Sequence, residues 1–137
     1  MTSAQNIKES LIAHLIAHMT DEAITIIDGK QRAEISLPTL AVDCTGTEAH
    51  STTLSMVHRA SVECVLRCHV GDEPDADVSA WIDIIESILF DVSGIKEAIT
   101  GNHVKAYDFV YSGSSQDWDE SVLEVSFSAE CLFARLS

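Results

Sequence analysis

The segment Leu123-Glu124-Val125-Ser126-Phe127-Ser128-Ala129-Glu130-Cys131-Leu132-Phe133 constrains the fold more than any other part of the chain. Apolar side chains occupy every second position from 123 to 133, with Glu124, Ser126, Ser128 and Glu130 between them, and only Leu132 breaks the order. A side-chain period of two gives one packed face and one wet face, the mark of a long antiparallel strand rather than a helix. The same pattern recurs at Ala60, Val62, Cys64, Leu66, Cys68 and Val70, set against Arg59, Ser61, Glu63, Arg67 and His69. Both runs exceed the roughly 5–6 residues of an ordinary strand. They imply a sheet whose polar face meets something.

Around these two strands the remaining elements can be placed. Residues 5–19 predict an amphipathic helix through Ile7, Leu11 and Leu15, flanked by Ile12, Ile16 and Met19, with Ser3 as its N-cap. Residues 21–28 fit either a continued helix or a short strand, ended by Gly29. Over 33–43, Ala33, Ile35 and Leu37 alternate, and the phase changes at Pro38 before Leu40, Val42 and Cys44, which predicts a bulge or an edge strand. Thr45 to Ser55 reads as a polar loop. The strand over 57–70 is stopped by Gly71-Asp72-Glu73-Pro74. The clearest helix, 76–92, sets Val78, Trp81, Ile82, Ile85, Ile88 and Leu89 on one face; Ser93-Gly94 ends it and Ile95–Thr100 adds a further turn. Residues 103–111 alternate with Lys105, Tyr107, Phe109 and Tyr111 on one face and Val104, Ala106, Asp108 and Val110 on the other. Residues 112–117 read as a hairpin loop, and 121–135 closes the sheet. The expected architecture is one α+β domain over 1–137: an antiparallel sheet of about four strands with two helices on one face, in the order α-β-β-α-β-β.

The bulk properties narrow the function. A chain of 137 residues can bury a core without disulfides or a metal. Its 46% hydrophobic content and mean hydropathy of +0.13 exclude disorder. No apolar run reaches the roughly 18 residues of a membrane span. Residues 1–6 carry no basic region or cleavage-like signature, so no signal peptide and a cytosolic setting are expected. Cys64, Cys68 and Cys131 lie on apolar strand phases and Cys44 follows Val42, so four reduced, buried thiols are expected. Cys64 and Cys68, about 13 Å apart by strand rise, cannot bridge each other; a bridge between neighbouring strands stays open in an oxidising setting. The net charge of −14 argues against a grip on nucleic acid or anionic membrane, both of which use Lys and Arg. Solubility explains that charge, and so does a surface that DNA passes without sticking.

Chemistry is sparse. His14 and His18 stand four apart on one helix, a spacing that can hold a metal from two positions, but no third ligand lies nearby in sequence. A helix face in solvent or at a subunit contact accounts for them, and neither a metal nor a cofactor is expected. Asp72, Asp75 and Asp77 miss the EF-hand spacing and suit helix capping. The cysteines point into the core, where a thiolate is disfavoured, and no phosphate loop, nucleophile elbow or HExxH is present. No catalytic residue is assigned and the chain is not expected to be an enzyme. Asp117-Trp118-Asp119-Glu120 places a tryptophan among acids, where it either caps its own sheet or meets a partner. Arg59, Glu63 and Arg67 can pair across strands or across subunits.

Taken in order, the Glu9–Ile16 helix, Leu37-Pro38-Thr39-Leu40-Ala41-Val42-Asp43, the long charged strand His58–Gly71, the Trp81-Ile82-Asp83-Ile84-Ile85 helix and the Trp118 loop before the closing strand form a pattern. Over nearly the whole chain that pattern resembles the tail terminator (tail completion) proteins of long-tailed bacteriophages, by order and length of elements rather than by any residue motif. The resemblance implies a virion protein that assembles in the host cytoplasm as a ring, expected to hold six subunits, on the head-proximal end of the tail tube. Such a ring stops tube polymerisation and docks the neck or head-completion proteins. Genomic DNA would pass through it without specific binding, and Glu124, Ser126, Ser128 and Glu130 become candidates for its inner wall. Another neck, tube or baseplate ring component, and a small cytosolic α+β ligand-binding protein, are the alternatives.

Overall fold

The computed structural model describes residues 3–19, 24–29, 38–49, 57–69, 75–101, 103–119 and 121–135. In chain order the elements are α1 (Ser3–His18), β1 (Thr25–Asp28), β2 (Thr39–Ala49), β3 (Val57–His69), α2 (Asp75–Phe90), α3 (Val92–Ile99), β4 (Val104–Asp119) and β5 (Val122–Arg135). The class is α+β, as the pattern predicts. Two details differ: the sheet has five strands in the order β1-β2-β3-β5-β4, and three helices cover it. The sheet is also mixed, because β1 runs parallel to β2 while every other pairing is antiparallel.

The two alternating runs are neighbours. All 13 residues of β3 pair with β5, from Val57 opposite Ala134 to His69 opposite Val122. The apolar phases coincide, so Ala60, Val62, Cys64, Leu66 and Cys68 lie beside Leu123, Val125, Phe127, Ala129, Cys131 and Phe133 in one buried floor. Ile7, Leu11 and Leu15 of α1, Trp81, Ile85 and Leu89 of α2, and Ile95 and Ile99 of α3 close over it in a single cluster. Ile16, expected on the apolar side of α1, is exposed, and Ser3 lies inside the helix rather than at its cap. The wet face is not wet throughout. Ile27, Ala41 and Val65, in register across β1, β2 and β3, are buried on the side opposite the helices.

Three expected boundaries move, each for a local reason. First, the expected helix over 76–92 breaks at Asp91, not at Ser93-Gly94. Asp91 Oδ1 accepts the Gly94 N–H at 3.2 Å, an N-cap that starts α3, so Ser93 and Gly94 lie in its first turn. A Cβ on Gly94 would meet the Asp91 carboxylate, so a side chain there would displace the cap. Second, the expected loop from Thr45 is strand as far as Ala49, with a register shift between Thr45 and Glu48; residues 50–56 lie outside the described residues. Third, the expected hairpin loop over 112–117 belongs to β4. That strand is bulged at Tyr107, where Ala106 and Asp108 face Phe133 and Leu132, and again at Ser112, where Tyr111 and Gly113 face Ala129 and Ser128. Gly113 carries φ +131°, a backbone conformation open to glycine. The first bulge reverses the phase, so Val104 and Ala106 point inward and are followed by Phe109 rather than by Asp108.

Under α1 the core admits one ion pair. Lys8 Nζ lies 3.0 Å from Asp28 Oδ1, with side chains 4% and 24% exposed. Removing the carboxylate would leave a buried ammonium, whereas removing the ammonium leaves a carboxylate that still reaches water. Asp28→Ala is therefore expected to lower stability by about 3–5 kcal/mol, and Lys8→Met, which keeps the stem volume, by clearly less. Urea unfolding of the two variants checks the order; a larger loss for Lys8→Met would refute it.

Candidate functional site

The polar phases of β3 and β5 build a charged outer face whose rows follow from the register. In one row Thr39, Arg67, Glu124 and Asp117 lie side by side across β2, β3, β5 and β4. Arg67 Nε donates to Glu124 Oε1 at 2.9 Å, and both side chains are partly covered. At the other end Arg59 Nε lies 4.0 Å from Glu130 Oε2, an ion contact too long for a hydrogen bond. Arg59 and Arg67 thus engage carboxylates across strands of their own chain. Between them Glu63 stands opposite Asp43 on β2 and Ser128 on β5, so two acidic residues are direct cross-strand neighbours. A concavity of about 270 Å³ lies there, lined by Asp43, Thr45, Ser61, Glu63, Ser128 and Glu130. Of the expected inner-wall residues, Ser128 and Glu130 are exposed, while Glu124 and Ser126 are half-buried.

The acidic tip is partly separate from this face. Asp117 adjoins Glu124 on the outer face, and its Oδ1 accepts the Trp118 N–H at 2.9 Å. Trp118, opposite Leu123, belongs to the helical side and is 59% exposed. It does not fold back to seal the end of its own sheet. Asp119 ends β4, and Glu120 lies outside the described residues, as does Asp72. The structure therefore brings Asp117 to Arg67 and Glu124 but leaves Trp118 on the opposite face from Arg59, Glu63 and Arg67.

Both long edges of the sheet carry functional interest. On its outer side β4 has no strand partner among the described residues, and Ser112 and Ser114–Trp118 are exposed. Beyond Val42, β2 likewise has no partner on the β1 side among the described residues. On β4 the Asp108 carboxylate accepts the Phe109 N–H at 2.9 Å, as Asp117 does for Trp118, which blunts the edge at two points and leaves the stretch between them open.

Two features on the helical side escape a sequence reading. Phe90, 63% exposed, meets Tyr111 edge-on at 4.9 Å between ring centroids. Tyr111 donates its hydroxyl to Glu86 Oε2 at 2.8 Å, and burial together with that bond pushes its pKa up to about 12. Between α1 and α2 runs a groove of about 640 Å³, lined by Ile84 and Ile88 with His14, His18, Asp83, Ser87 and Asp91 around them. Burial, then the neighbouring His18, lower the His14 pKa against the pull of Asp91. Only contacts between elements distant in sequence could have shown that the aspartates share this groove with the histidines.

All four cysteines are free and buried. Burial raises the Cys44 thiol to about 11 and those of Cys64 and Cys131 to about 12. No group of three His, Cys, Asp or Glu side chains among the described residues is arranged to hold a metal ion. No helix among them is long and apolar enough to cross a membrane. Neither a protein-family model nor a curated protein sequence matches the chain.

Ellman's reagent at pH 8 is expected to leave the four thiols of the folded chain essentially unmodified and to titrate all four in guanidinium; prompt reaction of the native chain would contradict the burial. Folding holds the Cys44, Cys64 and Cys131 thiols protonated, whereas the unfolded chain ionises them near the ordinary value of 9. Their contribution to stability is thus complete below about pH 9 and declines as pH rises towards the folded values. Urea midpoints at pH 8 and 10 should show the fall, and Cys64→Ala should reduce it. A double-mutant cycle on Arg67 and Glu124 is expected to give a coupling of about 0.5–1 kcal/mol, and one on Arg59 and Glu130 a smaller value.

Proposed function

We propose that the chain is a structural subunit of a phage-tail particle, of the kind its element order resembles. It would form a ring, with six subunits as the expected number, on the head-proximal end of the tail tube. There it would stop tube growth and present a docking surface to neck or head-completion proteins. The observation that carries this reading is a pair of sheet edges, on β4 and on β2 beyond Val42, that have no strand partner among the described residues. Following the ladders from β2 through β3 and β5, β4 runs opposite to β2. Copies placed head to tail in one orientation would therefore set β4 beside the stretch of the next β2 beyond Val42 with antiparallel polarity. Such a heterologous contact closes into a ring or continues as a polymer. The charge supports the same reading, since six subunits of net −14 would surround a channel with little affinity for DNA.

Light scattering behind size exclusion, with negative-stain images of the chain alone and mixed with tail tube subunits, tests the proposal. Rings, or rings formed on the tube end, are expected. A monomer that neither assembles nor caps tubes would overturn it, and saturable binding of a small apolar ligand by that monomer would favour the ligand-binding alternative. Lys substitutions at Asp117, Asp119 and Glu120 together are expected to impair assembly while leaving the urea midpoint nearly unchanged. Unaltered ring formation and particle yield would remove the tip from the contact.

A further inference from the structure

We propose that His14 and His18 form a two-point site for a first-row transition-metal dication, in the groove between α1 and α2. The site is independent of the assembly reading. Its ligands are adjacent turns of one helix, with ring centroids 4.1 Å apart. Two imidazole nitrogens sharing one ion at about 2.0–2.1 Å each stand about 3.3 Å apart at a tetrahedral angle, a separation within reach of two rings at that spacing. The tautomer of His18 is already fixed. Its Nδ1 lies 2.9 Å from the His14 carbonyl oxygen, and because a carbonyl can only accept, that nitrogen carries the proton. In the neutral ring the free lone pair is then on Nε2. A ring N–H held by a backbone carbonyl is the usual outer-shell support of a metal-bound histidine.

The surroundings favour a cation twice over. His14 and His18 occupy the C-terminal end of α1, where the unpaired carbonyls of a helix present negative potential. Asp83 and Asp91 line the same groove, brought there by α2 and by the cap of α3. Asp91 keeps Oδ1 on the Gly94 N–H, so it acts through its charge while water completes the coordination. Imidazole donors with carboxylates outside them suit Zn²⁺, Ni²⁺ and Cu²⁺ and leave Mg²⁺ and Ca²⁺, which take oxygen ligands, unbound.

Calorimetric titration of the full chain with Ni²⁺, Zn²⁺ and Mg²⁺ provides the test. The expected result is one ion per chain for Ni²⁺ and Zn²⁺, tighter for Ni²⁺, and none for Mg²⁺. His14→Gln or His18→Gln should weaken binding at least tenfold. Asp91→Asn, which retains a capping side chain, should weaken it less, and His69→Gln on β3 should leave it unchanged. Absence of saturable Ni²⁺ binding, indifference to both histidine changes, or an equal loss in His69→Gln would each overturn the proposal. Should a histidine variant fail to fold, the unaltered chain still decides. Zn²⁺ must protect His14 and His18 from diethyl pyrocarbonate, read by mass spectrometry, and equal modification with and without the ion would refute the site.

Discussion

The pairing of β3 with β5 is the constraint on which the rest of the molecule depends. Every residue of β3 has a partner there, and the apolar phases of both strands fall on the same side. A slip by one residue would turn the whole apolar set of one strand to the polar face, so the register is held by the cost of exposing Phe127, Cys64 and their neighbours. The helices have no other common floor. The Arg67–Glu124 pair adds little energy at the surface but is compatible with this register alone, since the two residues are direct cross-strand partners.

The same two strands explain how much could be read from sequence. Over 57–69 and 122–135 the alternation was legible because both strands are central, half-packed and unbulged against each other. The β4 edge was not, because Ser112-Gly113-Ser114-Ser115-Gln116-Asp117 has the composition of a turn, and an exposed edge needs no apolar phase. The α2–α3 break was misplaced because Ser93-Gly94 resembles a helix stop, while the capping carboxylate two residues earlier starts the next helix. Of the candidate site, the charged outer face followed from strand phase. The companions of His14 and His18 did not, because a groove between two helices is a property of their packing.

The charge of the chain is unevenly exposed. Arg67 and Arg59 offset Glu124 and Glu130 towards the two ends of the outer face, while Asp43 and Glu63 confront each other near its middle. Like charges across a strand pair destabilise the isolated subunit. That placement makes Asp43 and Glu63 cross-strand neighbours near the middle of the sheet, whereas Arg67 and Arg59 engage Glu124 and Glu130 at either side.

The two bulges of β4 behave as compensating frame shifts. Tyr107 and Ser112 each add one residue, so the strand leaves Ala106 and reaches Ser114 in the phase it started with, and only the interval between them is inverted. That inversion aims Phe109 at the core and Tyr111 at Glu86 and Phe90, while Val110 turns outward. If the same residues ran on without bulges, Trp118 would still face the helical side, but Asp108 and Val110 would then point where Phe109 and Tyr111 now do. One strand thus carries two independent addresses: its ends are set by the sheet, and its middle is set by the pair of insertions.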